Sequence, residues 1–177
     1  MSSSDRGRTL STTIIRFAAA IAGAALLAAC TVQPLYGPSL SGSAVGTALA
    51  RITIDPVGNR VGQELRNKLI FDLGGSTTAP VYRMTLSVSS AESALGVTPI
   101  EAAPTFSLTV SATYEVTSIA TGDIVLRGTS RGTASFDRVS QIYANTRARL
   151  DAENRAAALA ADDIRVRLSG AAAKGTL

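Results

Sequence analysis

Between residues 50 and 169 the apolar positions follow two different periods. Ile52 and Ile54 alternate with Arg51, Thr53 and Asp55, and alternation of this kind predicts a short half-buried strand. Pro56 and Gly58 punctuate its end. The period then lengthens. Val61, Leu65, Leu69 and Leu73 recur every four residues, with Gln63, Glu64, Arg66, Asn67 and Lys68 covering the other side. That stripe predicts an amphipathic helix, stopped by Gly74-Gly75.

Alternation returns from Val81 to Ser90, with Tyr82, Met84, Leu86 and Val88 on one face and Arg83, Thr85, Ser87 and Ser89 on the other. Residues 91–103 hold Gly96, Pro99 and Glu101 and read as a loop. Phe106, Leu108, Val110, Ala112, Tyr114 and Val116 alternate over a long strand. After the turn signal Thr121-Gly122-Asp123, Ile124, Leu126, Gly128, Gly132, Ala134 and Phe136 share one face of the next. These two runs predict a hairpin. Because the alternation is clean, one face of the sheet should be covered and the other solvated or bound by a partner. Gly128, Ser130, Gly132 and Ala134 would leave a groove in which a helix rich in Ala at 156–161 could sit close.

Leu150, Ala157, Ala161, Ile164 and Leu168 mark a second helical stripe. Its start falls between Ser140 and Thr146. Arg165 and Arg167 lie in its last turn, as the helix dipole favours, and Gly170 is expected to end it. The fold class is therefore α+β: a two-layer sandwich with two helices on one face of a mixed sheet of about four strands, in the order β-α-β-β-β-α. The strand-helix-strand crossover allows its first pair of strands to be parallel.

The segment before this domain has a different composition. Arg6, Arg8 and Arg16 precede FAAAIAGAALLAA at residues 17–29. Thirteen uncharged residues fall short of the roughly 20 that span a bilayer. A basic start, a short apolar stretch and small residues before a cleavage point describe a secretory signal, residues 1–29. The stretch ends Leu27-Ala28-Ala29-Cys30, which resembles the bacterial lipobox and implies acylation of Cys30. One acyl chain anchors weakly and stable attachment needs more than one; the lipobox Cys carries three. Thr31 replaces the Asp that retains some lipoproteins in the inner membrane, which favours the outer one. Residues 30–47 read as the lipidated Cys and a flexible Gly/Ser-rich tether, 48–170 as one domain and 171–177 as a frayed tail.

Composition narrows the chemistry. The chain has 177 residues, no His and one Cys. Catalysis through Ser-His-Asp or Cys-His is excluded, as are His-ligated zinc and a CxxC site. Asp151, Glu153, Asp162 and Asp163 lie on the last helix without a third type of ligand beside them, and read as a solvated face. We expect no catalytic residues, no metal, no cofactor and no enzyme activity. The net charge of +4 falls to +2 when the signal takes away three Arg and one Asp, so the mature chain is not a nucleic-acid binder by composition.

After Cys30 the sequence runs to Pro34-Leu35-Tyr36-Gly37. A lipobox Cys followed at this distance by Pro-Leu-Tyr-Gly resembles the alphaproteobacterial branch of the lipopolysaccharide-assembly lipoprotein family (LptE). That branch typically has Gly and an aromatic where this chain has Thr31 and Val32. The order of elements and the Ala-rich acidic closing helix are similar to the family's. The resemblance implies a non-enzymatic outer-membrane lipoprotein on the periplasmic side, plugging and helping to assemble an LptD-type β-barrel and contacting lipopolysaccharide. An auxiliary lipoprotein of a lipid-transport ABC system, acting as a periplasmic adaptor, is the alternative.

Arg127 and Arg131 lie four apart on one strand and so share its polar face, with Arg83 on the same face from another strand. Guanidinium groups suit bidentate contact with phosphate, which makes these three candidates for lipopolysaccharide or barrel contact. The competing expectation is a solvated face in which Arg pairs with Glu115. Pro34, Leu35 and Tyr36 either pack on the fold or barrel, or form an ordinary turn.

Overall fold

A β-strand followed by a helix and a parallel strand opens the sheet, and an antiparallel hairpin extends it. The computed structural model describes residues 40–75, 79–95 and 104–177. The elements are α1 (Leu40–Leu49), β1 (Ile52–Ile54), α2 (Arg60–Asp72), β2 (Tyr82–Ala94), β3 (Thr105–Ser118), β4 (Ile124–Asp137) and α3 (Ile142–Ala173). The sheet order is β1-β2-β3-β4. β1 runs parallel to β2, with Ile52 beside Tyr82, and the other pairs are antiparallel. The α+β class, the mixed four-stranded sheet and the helix-clad face all agree with the sequence pattern.

The register explains the two faces. Met84, Val116 and Leu126 lie in one row across the sheet, and Val88, Ala112 and Ser130 in another. All of these point toward the helices, where Met84, Leu108, Val110, Ala112, Tyr114 and Val116 are buried with Leu65 and Leu69 of α2 and Ile164 and Leu168 of α3. α3 has 32 residues, about 48 Å of helix. β4 has 14, about 46 Å of strand. One helix is therefore long enough to cover the whole hairpin.

Local chemistry sets the ends of α2. Asn59 caps it: its Oδ1 accepts from Gly62 N–H at 2.6 Å, while its Nδ2 donates to the Val88 carbonyl at 2.7 Å and ties the helix start to β2. Gly74 and Gly75 adopt φ of +102° and +93°, a region open to Gly, and Gly75 N–H returns to the Ile70 carbonyl at 2.8 Å. Arg66 donates to the carbonyls of Ile54 and Asp55 at 3.0–3.1 Å, fixing α2 to the end of β1.

The close helix–sheet approach is present at Gly132. A Cβ there would meet the Ala156 carbonyl, Ala160 N at 2.8 Å and Leu159 Cβ at 2.9 Å. Next to it, Ser130 Oγ donates to the Ala160 carbonyl at 2.9 Å. Gly128 serves a different neighbour. Its missing side chain makes room for the Tyr114 ring of β3, not for the helix.

Four expectations are corrected. Residues 40–49, assigned to the tether as far as 47, form α1, making three helices among the described residues. Gly and Ser suggested a linker, but Val45 and Leu49 are one turn apart and bury in the core, and packing outweighs weak propensity. β2 continues to Ala94 where a loop was expected from residue 91. Ala91 to Ala94 are exposed on both faces and show no alternation, yet they pair with Phe106 to Thr109. Gly170 does not end α3, which runs to Ala173. Finally, the expected frayed tail is partly packed, because Ala171 is buried and Leu177 rests against the core.

Candidate functional site

The face of the sheet away from the helices carries no covering element among the described residues. Its surface consists of Thr85, Ser87 and Ser89 of β2, Thr109, Ser111, Thr113 and Glu115 of β3, and Arg127 to Ser135 at alternate positions of β4. Hydroxyl pairs bridge the hairpin: Thr109 with Thr133 at 3.1 Å and Thr113 with Thr129 at 3.4 Å. Thr85, Leu86, Ser87, Thr113 and Glu115 line a shallow hollow of about 240 Å³. Such a surface is flat, polar and rich in groups that both donate and accept.

Arg127 and Arg131 stand on this face, as the alternation requires. Arg127 is opposite Glu115, and Arg131 opposite Ser111. Their Cα atoms are about 13 Å apart, four strand residues. Arg83 shares the face from β2, two strands away, and its Nη1 is 3.3 Å from Asp55 Oδ1. The three guanidinium groups are thus distributed over the face and do not converge on one point. Leu27, Ala28, Ala29, Cys30, Pro34, Leu35, Tyr36 and Gly37 lie outside the described residues.

Sequence reasoning missed a cationic cleft at the sheet's edge. Tyr114, Leu126, Arg127, Arg167, Gly170, Ala171, Lys174 and Thr176 line a cavity of about 440 Å³ where the C-terminal end of α3 passes β4. Arg167 Nε donates to Asp163 Oδ2 at 2.8 Å. Burial opposes the charge on Asp163, but hydrogen bonds from Ser130 and Arg167 and the Arg167 charge together hold its carboxyl below the usual range. Ser130 has one proton for two acceptors here, Asp163 and the Ala160 carbonyl. Desolvation raises the Tyr114 phenol above its ordinary value, against the pull of Arg167. The only hint in the sequence was Arg167 near the helix end; its juxtaposition with Arg127 needs the tertiary fold.

A second charged cluster ties the helices together. Glu153 of α3 is 4% exposed and pairs with Arg60 of α2 and, at 3.0 Å, with Arg149. Arg149 continues to Glu92 of β2 at 3.2 Å, and Glu92 to Arg138 at 2.7 Å. Arg138 also lies over the Phe106 ring, 4.0 Å from its centre. This cluster links α2, α3 and β2, and its groups are satisfied by one another. Among the described residues no group of three His, Cys, Asp or Glu could hold a metal, and no helix is long and apolar enough to cross a membrane.

The comparisons with known proteins bear on this arrangement. The profile of a family described as LptE, lipopolysaccharide-assembly, matches residues 49–168. A protein described as a lipoprotein from Caulobacter crescentus CB15 is similar in structure, with a TM-score of 0.63 and 26% identity. The match covers 74% of this chain and 97% of that one. A minor lipoprotein from Acinetobacter baumannii shares the fold at a TM-score of 0.51 and 10% identity, over 67% of this chain and 88% of that one. No curated protein matches significantly.

Proposed function

The chain belongs to the lipopolysaccharide-assembly family LptE, and from that premise we propose that it plugs and helps to assemble an LptD-type outer-membrane β-barrel, assisting lipopolysaccharide on its way to the outer leaflet. In this reading Cys30 carries the lipid that holds the protein to the periplasmic side of the outer membrane. The domain enters the barrel lumen, and it acts by binding, not by catalysis.

The uncovered face of the sheet is the observation that supports the reading best. The inner wall of a large barrel is polar. A flat surface of Ser, Thr and Arg can exchange its water for such a wall without stranding apolar groups, since every hydroxyl can donate or accept. Interfaces of this kind are wet and polar, and they tolerate low shape specificity because bridging waters serve nearly as well as direct hydrogen bonds. Arg127, Arg131 and Arg83 add positive charge to that face, suited to carboxylates of the wall or phosphates of the lipid.

The test is photo-crosslinking in native envelopes. A photoreactive residue at Ser111 or Thr113 should yield one large, heat-modifiable adduct containing the barrel, and the same probe at Asp162 on the helix layer should yield less of it. Recovery of inner-membrane transporter subunits in place of a barrel would overturn the reading in favour of a periplasmic adaptor. A Cys30→Ser variant should no longer incorporate labelled fatty acid, and undiminished labelling of that variant would remove the lipid anchor from the account.

A further inference from the structure

β4 is the last strand in the sheet order, so one of its edges has no neighbouring strand. Two contacts show which backbone groups face that edge. Arg138 N–H donates to the Pro104 carbonyl at 3.0 Å, continuing the ladder in which even-numbered residues point at β3. The Ser135 carbonyl instead accepts from Arg155 Nη2 of α3 at 2.9 Å, so odd-numbered residues point away. By the alternation of an antiparallel ladder, the N–H and C=O groups of Arg127, Thr129, Arg131 and Thr133 face outward. Among the described residues no hydrogen bond reaches them.

This edge is also long and regular. The register shift at Val116/Thr117 lies beyond it, and pairing from Leu126 to Asp137 is unbroken. Long edges are usually blunted by Pro, by a bulge, by shortness or by charge. β1, the opposite edge, is short, with three residues. From Leu126 onward β4 has neither Pro nor bulge; Arg155 covers the Ser135 carbonyl near its end, and from Arg127 to Thr133 the pair Arg127 and Arg131 is the only device among the described residues. Neither Arg forms an ion pair among the described residues, although Glu115 stands opposite Arg127. The other Arg residues along this side, Arg155 and Arg167, are engaged with Asp151 and Asp163.

The charge pattern discriminates between occupants. Two β4 edges paired about Arg131 would set Arg131 against itself; paired about Thr129 they would set Arg127 against Arg131. The register between these leaves Arg131 diagonal to its own copy, and pairing about Gly132, which would set Arg127 against Asp137, needs the Ser135 carbonyl that Arg155 already holds. Like charges opposite each other destabilise a strand pair, and opposite charges stabilise it. A second copy of this chain is disfavoured on these grounds and an acidic strand is favoured.

We propose that the β4 edge receives an extended acidic segment of a partner protein by strand addition, with carboxylates four residues apart opposite Arg127 and Arg131. Backbone hydrogen bonds would supply affinity, and the Arg spacing would select the sequence. The proposal is independent of whether the barrel reading above is correct.

The test uses the full chain in detergent micelles and two synthetic peptides, Thr-Glu-Val-Thr-Val-Glu-Val-Thr and its counterpart with Lys for Glu. The acidic peptide should bind at least about tenfold more tightly, two opposite-charge pairs replacing two like-charge ones, and should slow amide exchange at Arg127, Thr129, Arg131 and Thr133. Thr129→Pro removes an outward N–H and spares the ladder to β3, so it should abolish binding. R127E/R131E should reverse the peptide preference, and it serves even if the Pro variant unfolds. Equal binding of both peptides, or no added protection of these amides at about 1 mM acidic peptide, overturns the proposal. So does protection that appears with rising protein concentration alone, which would identify a second copy as the occupant.

Discussion

The two faces of β4 are built from the same strand and obey opposite rules. On the inner face Gly132 lies against the backbone of α3 with no room for one more carbon, and Ser130 beside it hydrogen-bonds that backbone. On the outer face Arg131 and Thr133, one residue either side of Gly132, meet no covering element among the described residues. A protein interior packs at the density of an organic crystal, so identity is strict inside. Outside, only polarity and flatness are required. The strand thus divides the work: its even positions hold the fold together, and its odd positions from Arg127 to Thr133 stay open to solvent among the described residues.

The sharpest break of this comparison is a pair of substitutions at adjacent residues. Gly132→Val forces α3 away from the sheet, because a Cβ alone already overlaps the Ala156 carbonyl. Overpacking costs about 1–3 kcal/mol where side chains can move, and here the obstacle is helix backbone, so a loss of about 3 kcal/mol or more is expected in urea denaturation. Thr133→Val on the open face should stay within about 0.5 kcal/mol. If both variants unfold at the same urea concentration as the parent, the close contact at Gly132 does not govern stability.

The division was legible in the sequence because it is a matter of period. Alternation over Phe106–Val116 and Leu126–Phe136 settled which residues face in, and Gly132 within a strand signalled close approach; Ile124, expected on the inner face, lies beyond the register shift opposite Thr117 and is 45% exposed. Elements that depend on contact without period were not legible. α1 has the composition of a linker and owes its burial to Val45 and Leu49 reaching a distant helix. Ala91–Ala94 extend β2 only because β3 offers partners. Arg127 was found as a surface charge, but its cleft with Arg167 and Lys174 requires β4 and the end of α3 to meet. Gly128 was assigned to the helix groove, whereas the Tyr114 ring, a cross-strand neighbour, fills the space. A one-dimensional pattern states that a position is small and does not state for whom.

A smaller effect is expected from the charges that bind the helix layer. Glu153 is buried, while Arg60 and Arg149, its partners, are nearly half exposed. Removing one member of a fully buried pair costs several kcal/mol, and exposed pairs contribute under about 1 kcal/mol. Glu153→Gln keeps the volume and should fall between these limits, at about 2 kcal/mol. High salt should weaken the parent more than the variant, because only the parent retains the ion pairs to be screened. An identical salt response in both proteins would show that the cluster acts through packing alone. Arg127→Gln on the open face, with no ion pair to lose among the described residues, is the contrasting control.

The smallest effect is a pH dependence at the cleft, where the two layers meet. The Asp163 carboxyl is held low: burial works against its charge, and hydrogen bonds from Ser130 and Arg167 overcome that. A carboxyl with a lower pKa folded than unfolded contributes stability above the unfolded value, about 3.9. That contribution disappears as pH falls through the folded value. Tyr114 has the opposite sign. Desolvation raises its phenol, so its contribution is complete below the unfolded value, about 10, and is lost as pH rises through the folded one. Asp163 is 39% exposed at its side chain, and solvent screening therefore keeps its share small. Asp163→Asn should be modestly less stable than the parent at neutral pH and equal to it in strong acid, and Tyr114→Phe should flatten the alkaline limb alone. A stability gap between the parent and the Asp163→Asn variant that persists unchanged into strong acid would mean that Asp163 acts at the cleft by shape and hydrogen bonding, with no contribution from its charge.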